Sequence, residues 1–102
     1  MPGIDFAAVR AQVSLPDVLQ LLHFQPVRRR GHKLRGPCPL CRNSDPRVFV
    51  ADLSTNRYSC FSCRRKGNQL ELWSAFRNLR CYDGVEDLCQ QLGLEVPRIH
   101  RW

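Results

Sequence analysis

Two cysteine pairs constrain this chain more than any other feature. Cys38-Pro39-Leu40-Cys41 is followed 18 residues later by Cys60-Phe61-Ser62-Cys63, giving C-x2-C-x18-C-x2-C. That spacing belongs to four-thiolate metal sites. Zinc takes four tetrahedral ligands in structural sites, and soft thiolates suit it. The reading is one structural Zn2+ held by Cys38, Cys41, Cys60 and Cys63. Four protein ligands leave no open position, so the metal is not expected to be catalytic. Iron in the same geometry is the chemical alternative. The chain has 102 residues, enough for one domain with a small core. A metal at its middle therefore organises much of it.

The remaining cysteines, Cys81 and Cys89, fall in the C-terminal part and read as small buried hydrophobes. His23, His32 and His100 read as surface residues, because the paired cysteines already complete the site. No apolar run approaches the roughly 18 residues of a membrane span. The N-terminus lacks the basic, apolar and small-residue succession of a signal peptide. The expectation is a cytoplasmic protein, where reduced cysteine pairs bind metal rather than form disulfides.

The rest of the chain divides around the cysteines. Residues 1–102 form a single domain: a helical arm over 1–25, a ribbon over 26–66 and C-terminal helices over 67–102. Asp5 caps a first helix carrying Phe6, Val9 and Val13. Ser14-Leu15-Pro16-Asp17 forms a capping box with proline in the first turn, opening a helix with Val18, Leu21 and Leu22 on one side. Val27–Arg30 and Lys33–Arg35 read as a hairpin turning at Gly31-His32. Val48–Ala51 and Arg57–Ser59 are two more strands, joined by a turn at Leu53–Asn56. Asn68-Gln69-Leu70-Glu71 is a second capping box, leading into a helix with Leu72, Trp73, Phe76 and Leu79 as its stripe. Asp83–Glu86 repeats the device for a last helix with Val85, Leu88, Cys89 and Leu92, closed by Gly93. The fold class is α+β: a zinc ribbon with a small antiparallel sheet and helices at both ends.

Charge is unevenly placed. Residues 28–66 hold eleven of the sixteen basic residues and only two acids, Asp45 and Asp52. Such a concentration costs self-repulsion unless an anionic partner meets it. The candidate contacts are Arg28, Arg29, Arg30, Lys33, Arg35, Arg47, Arg57, Arg64, Arg65 and Lys66, with Phe49, Tyr58 and Phe61 interleaved as stacking rings. Cations that follow phosphates beside rings that stack on bases suit single-stranded nucleic acid. Readers of duplex DNA commonly place a helix in the major groove, and no basic helix is seen here. Alternation along Arg57-Tyr58-Ser59 sends Tyr58 to the face opposite its neighbours, so core packing competes with stacking for each ring.

These residues together resemble the N-terminal zinc-binding domain of bacterial and phage DNA primases, the Cys-His-Cys-Cys type, from about Ile4 to Pro97. Cys38-Pro39-Leu40-Cys41 resembles the family's C-P-F-H, and Asp45-Pro46 with Val48 and Val50 its T-P-S-F-x-V. Tyr58–Cys63 resembles Y-x-C-F-G-C, and Gly67-Asn68 before an apolar helix resembles G-N/D-x-I-x-F. Leu92–Pro97 resembles the way that domain closes. Cys41 stands where the family usually has histidine, and Ser62 and Arg64 stand where glycines are common. The resemblance implies a module that binds template single-stranded DNA in replication or in a mobile element. Primer synthesis in that family belongs to a separate domain with clustered carboxylates for Mg2+, which these residues do not supply. The chain is therefore expected to be non-catalytic on its own. Two other readings are an adaptor docking on a helicase, polymerase or transposase, and a primase subunit acting in trans with a catalytic chain.

Overall fold

The computed structural model describes residues 3–99, in the order β1 (Gly3–Ile4), α1 (Phe6–Gln12), α2 (Leu15–Leu21), β2 (Arg28–Arg30), β3 (Lys33–Gly36), β4 (Phe49–Asp52), β5 (Arg57–Cys60), β6 (Lys66–Asn68), α3 (Gln69–Arg77), α4 (Cys81–Leu92) and β7 (Arg98–Ile99). Local chemistry sets most helix starts. Asp5 accepts a hydrogen bond from the Ala8 amide at 3.1 Å. Ser14 with Asp17, and Asn68 with Glu71, form the two reciprocal capping boxes that their spacing predicts. Each satisfies two otherwise orphaned amides at a helix start. Gly93 ends α4 at φ 69°, a conformation glycine adopts without steric cost.

α4 departs from expectation. It begins at Cys81 with Arg80 at its cap and no side-chain capping bond, so Asp83 lies inside the first turn. Gly84 serves packing instead of a turn. A Cβ there would collide with Ser74 Oγ, so glycine is what lets α3 and α4 approach. The stripe on α3 also shifts. Gln69, Leu70, Leu72, Trp73 and Ser74 are its buried residues, while Phe76 and Leu79 are exposed. Cys89 is buried as expected, but Cys81 is exposed. His23 and His32 lie at the surface; His100 lies outside the described residues.

Strands β2 to β6 form one antiparallel sheet in the order β2-β3-β4-β5-β6. Strand β6 was not expected; it is three residues long and its last residue, Asn68, is also the cap of α3. The sheet therefore runs into the C-terminal helices with no linker between them. β1 and β7 pair antiparallel and bring the two ends of the described chain together.

One face of the sheet lies on the core. Phe49 and Ala51 are fully buried and Tyr58 nearly so. The Phe49 ring stacks on Tyr58 with centroids 5.8 Å apart, and Phe24 tilts against Phe49 at 5.1 Å. The core continues through Val9, Val13, Leu15, Val18, Leu70, Leu72, Val85 and Leu88. Polar bonds also tie the N-terminal arm to this body. The buried Gln69 amide donates to the Val13 carbonyl at 2.9 Å, and the Leu15 amide donates to Asn56 Oδ1 at 3.0 Å. The first occupies a carbonyl left free at the end of α1.

Candidate metal centre and nucleic-acid interface

The four predicted ligands come together from two knuckles. One follows β3 and holds Cys38 and Cys41; the other follows β5 and holds Cys60 and Cys63. Their sulfurs all lie within 4.8 Å of one another, and Cys41 Sγ is 3.8 Å from Cys60 Sγ. A zinc–sulfur bond of about 2.3 Å makes a tetrahedron with edges of about 3.8 Å. The sulfur spacing therefore fits the ion. In each knuckle two amides point at the first sulfur: Leu40 and Cys41 donate to Cys38 Sγ at 3.4 and 3.5 Å, and Ser62 and Cys63 to Cys60 Sγ at 3.3 and 3.4 Å. Such donors favour thiolate over thiol.

Burial works against those donors at two of the cysteines. Burial pushes the Cys38 thiol up to about 12, while the Asn43 backbone amide draws the exposed Cys41 down to about 7. Burial also raises Cys63. A buried thiolate at Cys38 is costly unless a cation meets it, and a zinc ion at the centre of the four sulfurs supplies one. The site takes one zinc ion in a structural role: the four thiolates fill its coordination sphere. Cys41 in the second position makes the loaded site a dianion. Asn43 Nδ2 donates to Ser62 Oγ at 2.9 Å and links the two knuckles across it.

The other sheet face is open. By register and alternation, Arg28, Arg35, Val50, Ser59 and Lys66 make one row across it. Arg30, Lys33, Asp52, Arg57 and Asn68 make the next. Six cations thus share the face with one acid, and all six are exposed. Five strands spaced about 4.8 Å apart make this face about 19 Å wide.

The remaining predicted contacts lie off those two rows, though Arg29 and Arg47 line one concavity with Arg28, Lys33 and Arg35. Arg29 lies on the opposite register side, and its Nε donates to the Gly31 carbonyl at 3.2 Å. Arg47 pairs with Asp45 at 3.2 Å. Arg64 and Arg65 follow the second knuckle and are exposed. Phe49 and Tyr58 are corrected: both rings are enclosed in the core, so no base can reach their faces. Phe61 is 66% exposed and is the one predicted ring that remains open. Burial also raises the Tyr58 hydroxyl to about 12, in keeping with its enclosure. Sequence reasoning passed over Arg42. It follows the second cysteine of the first knuckle as Arg64 follows that of the second, and this equivalence was visible in the sequence. Both take left-handed backbone, at φ 57° and 62°, which costs a non-glycine residue about 1–2 kcal/mol.

A five-stranded sheet carrying two cysteine knuckles around one ion defines a zinc ribbon, here braced by helices on both sides. The CHC2 zinc finger model matches residues 4–101, and the chain belongs to that family, the zinc-binding N-terminal domain of DNA primases. A DNA primase of Pasteurella multocida is 26% identical over 83 residues, covering 80% of this chain and 14% of that protein. A DNA primase of Neisseria meningitidis serogroup A is 25% identical over 85 residues, again 14% of its length. The chain thus spans about one seventh of the curated primases it matches. The crystal structure of the Aquifex aeolicus primase zinc-binding and RNA polymerase domains superposes with a TM-score of 0.74 at 19% identity, over 92% of this chain and 23% of that one; it shows a shared fold. Among the described residues no helix is long and apolar enough to cross a membrane.

Proposed function

We propose that this domain binds single-stranded DNA on the open face of its sheet, as the template-binding module of a primase-type system. The observation that carries the proposal is the six-cation face formed by Arg28, Arg30, Lys33, Arg35, Arg57 and Lys66, with Asp52 its one acid. Phosphates follow the cations. Val50, in the central strand of the face, and the exposed Phe61 ring offer apolar ground for bases, where each stack on an aromatic is worth about 1–3 kcal/mol. Flexible single strands can lie across a sheet in this way, whereas a duplex presents its bases only through its grooves.

Zinc gives the knuckles their shape and takes no part in chemistry in this reading. Primer synthesis falls to a separate catalytic domain or chain, with which this module acts. A titration by fluorescence anisotropy tests the proposal, using single-stranded DNA, duplex DNA and RNA of equal length over a salt series. Single-stranded DNA is expected to bind tightest, with log Kobs falling against log salt by about 0.7 for each phosphate neutralised. Reversing Arg35 and Lys66 to glutamate is expected to abolish most of that slope. A flat salt response, or preference for duplex, would count against it.

A second reading rests on the opposite end of the molecule. Phe76, Leu79 and Tyr82 are 41%, 40% and 39% exposed along α3 and α4. An adaptor that docks on another replication protein through these helices would keep that partner after the charge reversals above. A pulldown with the reversed protein separates the two readings.

A further inference from the structure

We infer that Arg42 and Arg64 form a two-pronged phosphate clamp on the lip of the metal centre, beside the sheet face. Among the described residues, five other than glycine have left-handed backbone: His23, Arg42, Asn56, Arg64 and Asn78. Asparagine and histidine are enriched in that conformation because their short polar side chains tolerate it. Arginine has no such compensation, yet it occupies the equivalent position in both knuckles. Glycine would fit either position without strain. Strained residues that persist in pairs at a site point to a use for their side chains.

The surroundings say what that use is. Each arginine directly follows the outer cysteine of its pair, and the two sulfurs concerned, of Cys41 and Cys63, lie within 4.8 Å of each other. The two side chains therefore leave equivalent points around one centre. The Asn43–Ser62 bond at 2.9 Å links the two knuckles that carry the prongs. Cys41 is exposed whereas Cys38 is buried, so this lip is the solvent side of the site. Among the described residues the ion pairs are Arg47–Asp45, Arg77–Asp87 and Arg98–Glu86; neither Arg42 nor Arg64 takes part. Both guanidinium groups are thus available for bidentate contact with an anion, the recognition for which the planar guanidinium is suited. They also offset the four-thiolate dianion, which would otherwise repel a phosphate backbone passing beside it.

The inference rests on the nucleic-acid reading above and adds two contacts to it. The test compares glycine and alanine at both positions, in the zinc-loaded protein, against single-stranded oligodeoxynucleotide. Arg42→Gly and Arg64→Gly are expected to raise the melting temperature while weakening binding. Each should lower the salt slope by about 0.7, and the double variant by about 1.4. Arg42→Ala and Arg64→Ala should lose the same slope without gaining stability, because alanine keeps the backbone strain. Zinc content should stay at one per chain throughout, and Arg10→Ala, on α1, should bind as the parent does. An unchanged slope in the double variant, with the parent binding normally, would overturn the clamp and leave the sheet face standing. Weakened binding in the glycine variants but not in the alanine variants would also overturn it, by tracing the effect to the backbone. No binding by the parent protein would overturn both readings together.

Discussion

The two ends of this molecule are held together by different physics. The helical end is a side-chain core, in which Leu15, Val18, Leu72, Val85 and Leu88 have essentially no exposed surface. The knuckle end contributes fewer residues to that core, chiefly Cys38 and Cys60. Around the metal centre Cys38 and Cys60 are buried, but Cys41 is exposed and Phe61 lies open to solvent. Hydrophobic burial scales with apolar area removed from water, and the knuckles remove little. What holds them is the convergence of four sulfurs within 4.8 Å. That difference predicts a measure of independence: damage to the helical core should leave the metal seated, and removal of the metal should leave part of the core, although Cys38 and Cys60 join both. The open basic face lies between the two, on strands braced by the core beneath and by the knuckles at their ends.

The largest expected effect is metal removal. Structural zinc supplies about 10–16 kcal/mol of binding free energy in small finger peptides, and that energy is folding energy. Excess chelator, or Cys60→Ser, should unfold the knuckles and the sheet ends, while part of the helical signal survives. Far-UV circular dichroism with zinc release read in parallel checks this. Native spectra in a fully demetallated protein would break the contrast between the two ends.

A core truncation comes next. Leu88 is fully buried, and Leu88→Ala should cost about 2–5 kcal/mol through lost burial and the cavity left behind. The same variant should still bind one zinc per chain. Denaturant unfolding and zinc stoichiometry measured on one sample test both halves of the statement. Zinc lost in proportion to stability would mean that the two ends are a single cooperative unit.

The smallest effect is expected at the knuckle surface. Asp45 accepts hydrogen bonds from the Arg47 side chain, which hold its carboxyl below the ordinary range. A depressed carboxylate favours the folded state above its unfolded pKa, and that contribution fades as pH falls through the lowered value. Both partners are solvent-exposed, so salt screens the pair. Asp45→Asn should leave the melting temperature at neutral pH close to that of the parent, with zinc content unchanged. A marked loss would show that this loop, and not only the sulfurs, supports the knuckle.

The metal centre was legible because its chemistry is local in pattern. C-x2-C turns need only four residues to aim two sulfurs at one ion, and the helix caps at Asp5, Ser14 and Asn68 are equally short in range. The hairpin at 28–35 and the strands at 48–51 and 57–59 were legible from alternation and turn residues. β6 was missed because Lys66-Gly67-Asn68 has no apolar alternation; it is a strand only because β5 lies beside it. The start of α4 was misplaced because Asp83-Gly84 has the composition of a cap, while Gly84 answers to the Ser74 side chain on another helix.

By itself the sequence determined which four residues take the metal, where the chain turns helical and that the charge gathers around the cysteines. Those properties depend on residue type and short spacing. Only the tertiary structure decided which rings are free and which cations share a face. Phe49, Tyr58 and Phe61 are alike as letters among basic residues. The core closes over the first two and leaves Phe61 open, because burial is set by what packs from elsewhere in the chain. Arg35 and Lys66 lie far apart in sequence, and the register of strands β3 to β6 is what sets them in one row.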